Sequence, residues 1–150
     1  MLLRMTGTDT EKPAARPVHP GWRLLALLYD GVIAIALLMA GSALLLLLRR
    51  GEPVTPGSAV AFVEFVLLWA VLGAYAVLSW RFGGQTAGTR SWRLRVVDAD
   101  GRTPGWPALL LRYAIASLSA GLAMAWGFID SQGRGLHDLA AGTLVVRLLP

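Results

Sequence analysis

The chain has 150 residues, enough for one domain, and 55% of them are hydrophobic against 15% charged. That balance excludes an ordinary soluble domain and points to an integral membrane protein. The formal net charge is +5, and thirteen of the fourteen basic residues are Arg. These flank apolar runs instead of lining one polar face, so they fit cytoplasmic loops near anionic lipid and argue against a nucleic-acid surface. The absence of Cys excludes disulfides and thiolate chemistry.

Residues 1–20 mix Arg4, Asp9, Glu11, Lys12 and Arg16 with Thr, Pro and Ala and have no apolar periodicity, so they are expected to form a disordered tail. The run Leu24–Leu48 follows. Its 25 residues exceed the core of a signal peptide and suffice to cross ~30 Å of hydrocarbon, which predicts an uncleaved membrane helix. Within its reach are Arg23 and, two helical turns on, Asp30. A carboxylate at membrane depth costs about 3 kcal/mol or more, so Asp30 is a candidate functional residue that needs a partner.

Arg49, Arg50, Gly51 and Pro53 end the first run, and Ala59–Trp80 forms a second of spanning length. It carries Glu64 near its start, expected as an interfacial or lumen-facing carboxylate, and Ala70 and Ala74 four residues apart, a spacing that lets another helix approach. The stretch Arg81–Pro107 is polar and basic, with Arg81, Arg90, Arg93 and Arg95 expected to face lipid headgroups from the cytoplasm. Inside it, Leu94–Val97 has strand character between the Gly83–Gly88 turn and Asp100-Gly101. The third run, Ala108–Ile129, contains Arg112 and the small-residue ladder Ser117, Gly121, Ala125. A polar tail with Asp130, His137 and Asp138 then leads to a second strand-like piece, Leu144–Leu148.

If all three runs cross, nine basic residues share a side with the N-terminus and four lie opposite, which places the N-terminus in the cytoplasm of a multi-pass protein. Trp22, Trp80 and Trp106 would mark the cytoplasmic interface. Apolar length favours three crossings. The two strand-like pieces could pair only if both lay on one side, and that requires the third run to dip in and return as a re-entrant hairpin. The expected architecture is therefore an all-α helical membrane protein with three hydrophobic segments, the third crossing or re-entrant, and a short cytoplasmic β-like element.

Arg23 and Asp30 are seven residues apart, about 10 Å along a helix, and do not pair directly. Arg23 is expected to snorkel to headgroups, leaving Arg112 as the candidate partner of Asp30. Such a pair is either a static latch between helices or the site of a titrating carboxylate in a proton or cation path. Asp130 and His137 come near Arg23 only in the hairpin arrangement. One imidazole at His137 and another at His19 in the tail make no zinc site, and Gly83–Gly88 lacks the Lys-Ser/Thr of a phosphate loop, so neither an enzymatic activity nor a cofactor is expected.

Three stretches together resemble the RDD family of prokaryotic membrane proteins, named for one arginine and two aspartates: Gly21–Asp30, Gly84–Arg90 with Leu94–Gly101, and Phe128–Asp130 with Gly135–Thr143. By that resemblance Arg23 and Asp30 correspond to the arginine and first aspartate, Asp130 to the second, and His137-Asp138 to a Leu-His-Asp element. Ala87 and Thr89 depart from the Leu and Lys usual there. The resemblance implies a small helical protein of the prokaryotic inner membrane, for some members with a part in cation transport such as sodium/proton exchange. Two functions are expected: a small transporter, which with so few helices would need to form a homo-oligomer, or a non-catalytic membrane subunit or scaffold that binds anionic lipid or a protein partner.

Overall fold

The structure is a computed structural model that describes residues 16–119, 122–131 and 133–148. Residues 1–15 of the expected tail lie outside the described residues. The last five of it do not remain a tail. Arg16–Pro17 is a short strand, β1, Val18 is buried, and Pro20 starts a helix that the hydropathy pattern places four residues later.

Helix α1 runs Pro20–Leu48, 29 residues or about 43 Å. Pro20 suits the first turn because its missing N–H would have no partner there. The His19 ring Nδ1 accepts from the Gly21 N–H at 3.1 Å and supplies the cap. The helix ends where Arg50 and Gly51 take positive φ, letting the Gly51 N–H reach back to the Leu46 carbonyl at 2.9 Å. Helix α2, Ala59–Leu78, is capped by the Ser58 hydroxyl, which accepts from the Ala61 N–H at 3.1 Å, and continues as a π-helical turn over Ser79–Gly83. Both helices are long and apolar enough to cross a membrane. Their outer faces leave Leu28, Val32, Phe62 and Phe65 about two-thirds exposed, as suits helices solvated by lipid.

Helix α3, Ala87–Ser91, and strand β2, Leu94–Asp98, form the polar layer that follows. Helix α4, Trp106–Leu118, and helix α5, Leu122–Ala125, with its 3-10 extension Trp126–Phe128, make up the third apolar segment. It is not one straight rod: the two helical pieces are bent by 101°. Gly121 of the predicted small-residue ladder lies outside the described residues. Helix α6, Leu136–Ala141, and strand β3, Thr143–Arg147, close the chain.

The close approach expected at Ala70 and Ala74 occurs one turn-face away. Both alanines are exposed, and Gly73 is buried against the Tyr113 ring of α4, where a Cβ would clash. Tyr113 donates its hydroxyl to the Trp69 carbonyl at 2.6 Å, and the Trp69 indole donates to the Ser117 hydroxyl at 3.0 Å, so α2 and α4 are joined by polar contacts in an apolar setting.

The strands form one sheet in the order β1-β3-β2, antiparallel throughout, with Arg95 opposite Val146 and Val97 opposite Leu144. β1 and β2 flank β3, so the segment before α1, the loop after α2 and the segment after α6 are held together by backbone hydrogen bonds. The inner face of the sheet is apolar. Leu94 packs with Val18 and Ala26 of α1, and Val96 packs with Val77 of α2 and Leu109 of α4. The sheet thus sits on the ends of the three apolar segments and fixes their spacing.

Candidate functional site

Asp138 is the most enclosed charged residue among those described, with no exposed surface. It occupies the third position of α6, where its Oδ2 accepts from the Gly135 N–H at 2.9 Å and so caps its own helix. The same carboxylate receives two guanidiniums. Arg23 of α1 donates to Oδ2 and also to the Gly133 carbonyl, while Arg112 of α4 donates to Oδ1 and, at 2.8 Å, to the Thr143 hydroxyl of β3. The Arg112 guanidinium also stacks over the Trp80 ring at 5.1 Å, which accounts for an Nε with no hydrogen-bond partner. One carboxylate therefore ties both arginines, and through them α1, α4 and the start of β3, to α6.

The electrostatics follow from that enclosure. Burial by itself would push the Asp138 carboxyl up, but Arg112 and Arg23 beside it outweigh burial and hold it well below the usual carboxylate range. His137 lies next to it, with Nε2 3.7 Å from Asp138 Oδ2. Burial, and after it the positive charge of Arg112, pushes this imidazole down to about 4, so His137 is neutral near pH 7 and its contact with Asp138 is not an ion pair.

Asp30 has a different environment. Its Oδ1 accepts from the Tyr75 hydroxyl of α2 at 3.0 Å and from the Gly88 N–H at 2.9 Å, and its Oδ2 accepts from the Thr86 hydroxyl at 2.5 Å. Thr86 caps α3 by accepting from the Thr89 N–H, which positions both α3 donors around the carboxylate. Gly88 is required at this approach, because a Cβ there would overlap the Ala26 carbonyl oxygen and the Asp30 carboxyl. A carboxylate offers about four acceptor directions, and three are used, all by neutral donors.

The expected pairings are thus rearranged. Arg112 meets Asp138 and not Asp30, and Arg23 is buried on Asp138 instead of snorkelling to headgroups. Helix α6 lies against α4 and α5, close enough for Asp138 to take both guanidiniums, and that leaves Asp30 to the hydroxyls and amide of the polar layer. Asp130 accepts from the Arg134 backbone N–H at 2.8 Å and from its guanidinium at 3.1 and 3.2 Å. Glu64 pairs with Arg49 at 2.7 Å, joining the two ends of the α1–α2 connection. Of the basic loop, Arg90 and Arg93 are exposed, Arg81 is half-buried over the Trp106 ring at 5.8 Å, and Arg95 is half-buried against Gly84.

Tyr75, Thr86 and Gly88 around Asp30, and Thr143 and Trp80 around Arg112, are site residues that the sequence reading did not single out for these roles. A Thr one residue before a short helix is a legible cap signal. Its second contact, to a carboxylate 56 residues away, leaves no local trace.

Between α1, α2 and α4 lies a cavity of about 400 Å³ whose lining includes Arg23, Asp30, Arg112 and His137 together with Tyr75, Trp80 and Tyr113. Within the described residues no group of three or more His, Asp or Glu side chains is placed to hold a metal ion. No curated protein and no solved structure matches the chain. The model of the RDD family matches residues 17–142, from β1 to the end of α6, and covers every residue of both carboxylate sites except Thr143. With a match over that span, two apolar helices of spanning length and these buried charges, the chain belongs to the RDD family and is a small membrane protein.

Proposed function

We propose that the protein is a non-enzymatic cation- or proton-transporting unit of the prokaryotic inner membrane, in which Asp30 receives the cation and the Arg23–Asp138–Arg112 cluster is a fixed latch. The observation that carries this reading is the contrast between the two carboxylates. Asp138 is saturated by two guanidiniums, whereas Asp30 lines a cavity and is held by neutral donors only. A carboxylate without a cation of its own, at membrane depth, is the group that can exchange one.

The same proposal includes a topology. The third segment enters from the cytoplasmic side and returns, so that the N-terminus, the β2 region and the C-terminal helix share one face. Its support is the pairing of β3 with both β1 and β2 and the 101° bend in the segment. The excess of Arg in the N-terminal region and the central loop supports a cytoplasmic assignment of that face, with the exposed Arg90 and Arg93 at anionic headgroups. A unit with two full crossings encloses little polar volume, so transport would take a homo-oligomer.

The second reading, a non-catalytic membrane subunit, is supported by the three neutral donors on Asp30, which would equally well fasten α3 to α1. Purified protein in sealed proteoliposomes under an imposed pH gradient separates the two. Transport predicts cation-dependent dissipation of the gradient that is lost in folded Asp30→Asn. Equal flux in the variant, or none in the wild type, contradicts it.

A further inference from the structure

The segment that covers Asp30 is pinned at both ends and loosely held between them. At one end the Gly84 carbonyl accepts from the Val96 N–H at 2.9 Å, and at the other the Arg93 carbonyl accepts from the Leu148 N–H at 2.8 Å, so both ends belong to the sheet. The Gln85 side chain adds a bond to the Leu94 carbonyl at 2.8 Å. Both pinned residues have left-handed backbone, with φ of 69° at Gly84 and 56° at Arg93. For Arg93 that conformation is unfavourable, because it has a Cβ. The chain thus turns sharply on either side of residues 85–91, at two points about which they can swing.

Between those points there is little hydrophobic hold. Residues 85–91 read Gln-Thr-Ala-Gly-Thr-Arg-Ser, with no large apolar side chain, and Ala87, Arg90 and Ser91 are exposed. A helix of five residues such as α3 is not stable by itself. Trp92 packs on the Trp22 ring at 5.0 Å and edge-on to Tyr29 at 6.2 Å, which anchors only the end next to Arg93. The middle is fastened by polar contacts. The Thr86 hydroxyl and the Gly88 N–H donate to Asp30, and the Ala87 N–H donates to the Tyr75 hydroxyl at 3.2 Å.

Two of these three bonds end on one carboxylate. Hydrogen bonds to an ionised acceptor are roughly twice as strong as those between neutral groups, so the hold depends on the charge of Asp30. Among the described residues no charged side chain bonds to Asp30. Tyr75 of α2 is the titratable group in contact with it, Arg90 of α3 is exposed, and Arg23, Arg112 and His137 line the same cavity without a hydrogen bond to it. Thr86 and Thr89 form part of the cavity wall, so movement of α3 opens the cavity on that side.

We propose that α3 is a hinged strap over the cavity, held closed by the negative charge of Asp30 and released when that charge is neutralised. The inference rests on Asp30 being the cation-receiving group and gives the site its opening: a proton or cation on the carboxylate loosens the segment that covers it.

Hydrogen–deuterium exchange of the purified full-length protein in detergent at pH 7, read by mass spectrometry of its peptides, tests this without relying on flux. Asp30→Asn keeps the shape and removes the charge. It is expected to speed exchange across residues 85–91 by about tenfold or more, the loss of hydrogen bonds to a charged group. β2 and α6, outside the hinges, are expected to exchange as in the wild type. Thr86→Val removes one of the two bonds to Asp30 and is expected to speed the same residues, whereas Thr86→Ser, which keeps the hydroxyl, is expected to exchange as the wild type does. This pair decides the matter should Asp30→Asn fail to fold. Unchanged exchange at residues 85–91 in folded Asp30→Asn or in Thr86→Val, or acceleration that extends equally to β2 and α6, overturns the proposal. Asp30-dependent flux in proteoliposomes with an unmoved strap overturns it while leaving the transport reading intact; a strap released in Asp30→Asn without any wild-type flux supports the charge-held strap and removes transport.

Discussion

At the scale of single residues, Asp138 and Asp30 show the same side chain held by opposite kinds of partner, two guanidiniums at one and neutral donors at the other. Removing the charge from Asp138 leaves two buried guanidiniums facing each other, and breaking a buried ion pair from one side costs about 3–5 kcal/mol. Asp138→Asn is therefore expected to lower the thermal melting of detergent-purified protein sharply, or to prevent its recovery; melting like the wild type would contradict the latch. His137 gives a pH signature. Its folded value is about 4 against 6.5 in an exposed chain, so the unfolded state binds more protons between those limits. Stability is full above about pH 6.5 and declines as the pH falls toward 4, with Asp138 adding to the loss only at still lower pH. Melting at pH 7 and pH 5 in wild type and His137→Gln checks this: the wild type is expected to lose stability between them, and the variant to lose less.

Elements show why some of the site was legible and some was not. The two spanning helices follow from apolar length, and Asp30 stands out because a carboxylate in such a run needs an explanation. Two of its partners could not be read, because they come from a turn 56 and 58 residues on that positions Thr86 and Gly88 by capping a helix of only five residues, and the third, Tyr75, lies 45 residues on in α2. The pairing of Arg112 is illegible in the sequence for a related reason. Equal depth along two helices made Asp30 a candidate, but α6, too short to stand out in hydropathy, brings Asp138 closer. Strand character at Leu94–Val97 and Leu144–Leu148 was legible from β-branched residues, and β1 was not, since two residues carry no pattern. Gly88→Ala tests the fit of α3 on α1. Overpacking against the Ala26 carbonyl is expected to cost about 1–3 kcal/mol and to release Asp30 from its donors, seen as a lower melting temperature. Thr86→Ser, which keeps the hydroxyl, is expected to melt near the wild type, and Thr86→Val below it by about 1 kcal/mol or more, the value of a lost cap.

The whole molecule depends on one geometric condition. Arg23 at the start of α1, Arg112 near the start of α4 and Asp138 on α6 can meet only if the chain returns to the face from which α1 departs. The three-stranded sheet, built from segments before, between and after the apolar runs, imposes the same condition by backbone pairing. Apolar length alone favours three crossings, because hydropathy counts residues and does not register a bend; the proposed return of the third segment rests on the long-range contacts of α6 and β3. Sided labelling tests it most directly. The chain has no native Cys, so in sealed, oriented vesicles the single variants Ser91→Cys, at the exposed end of α3, and Ser131→Cys, after the third segment, each report one position to an impermeant maleimide. Labelling of both from the same side is the predicted result, and labelling of Ser131→Cys only from the side opposite to Ser91→Cys would contradict the account.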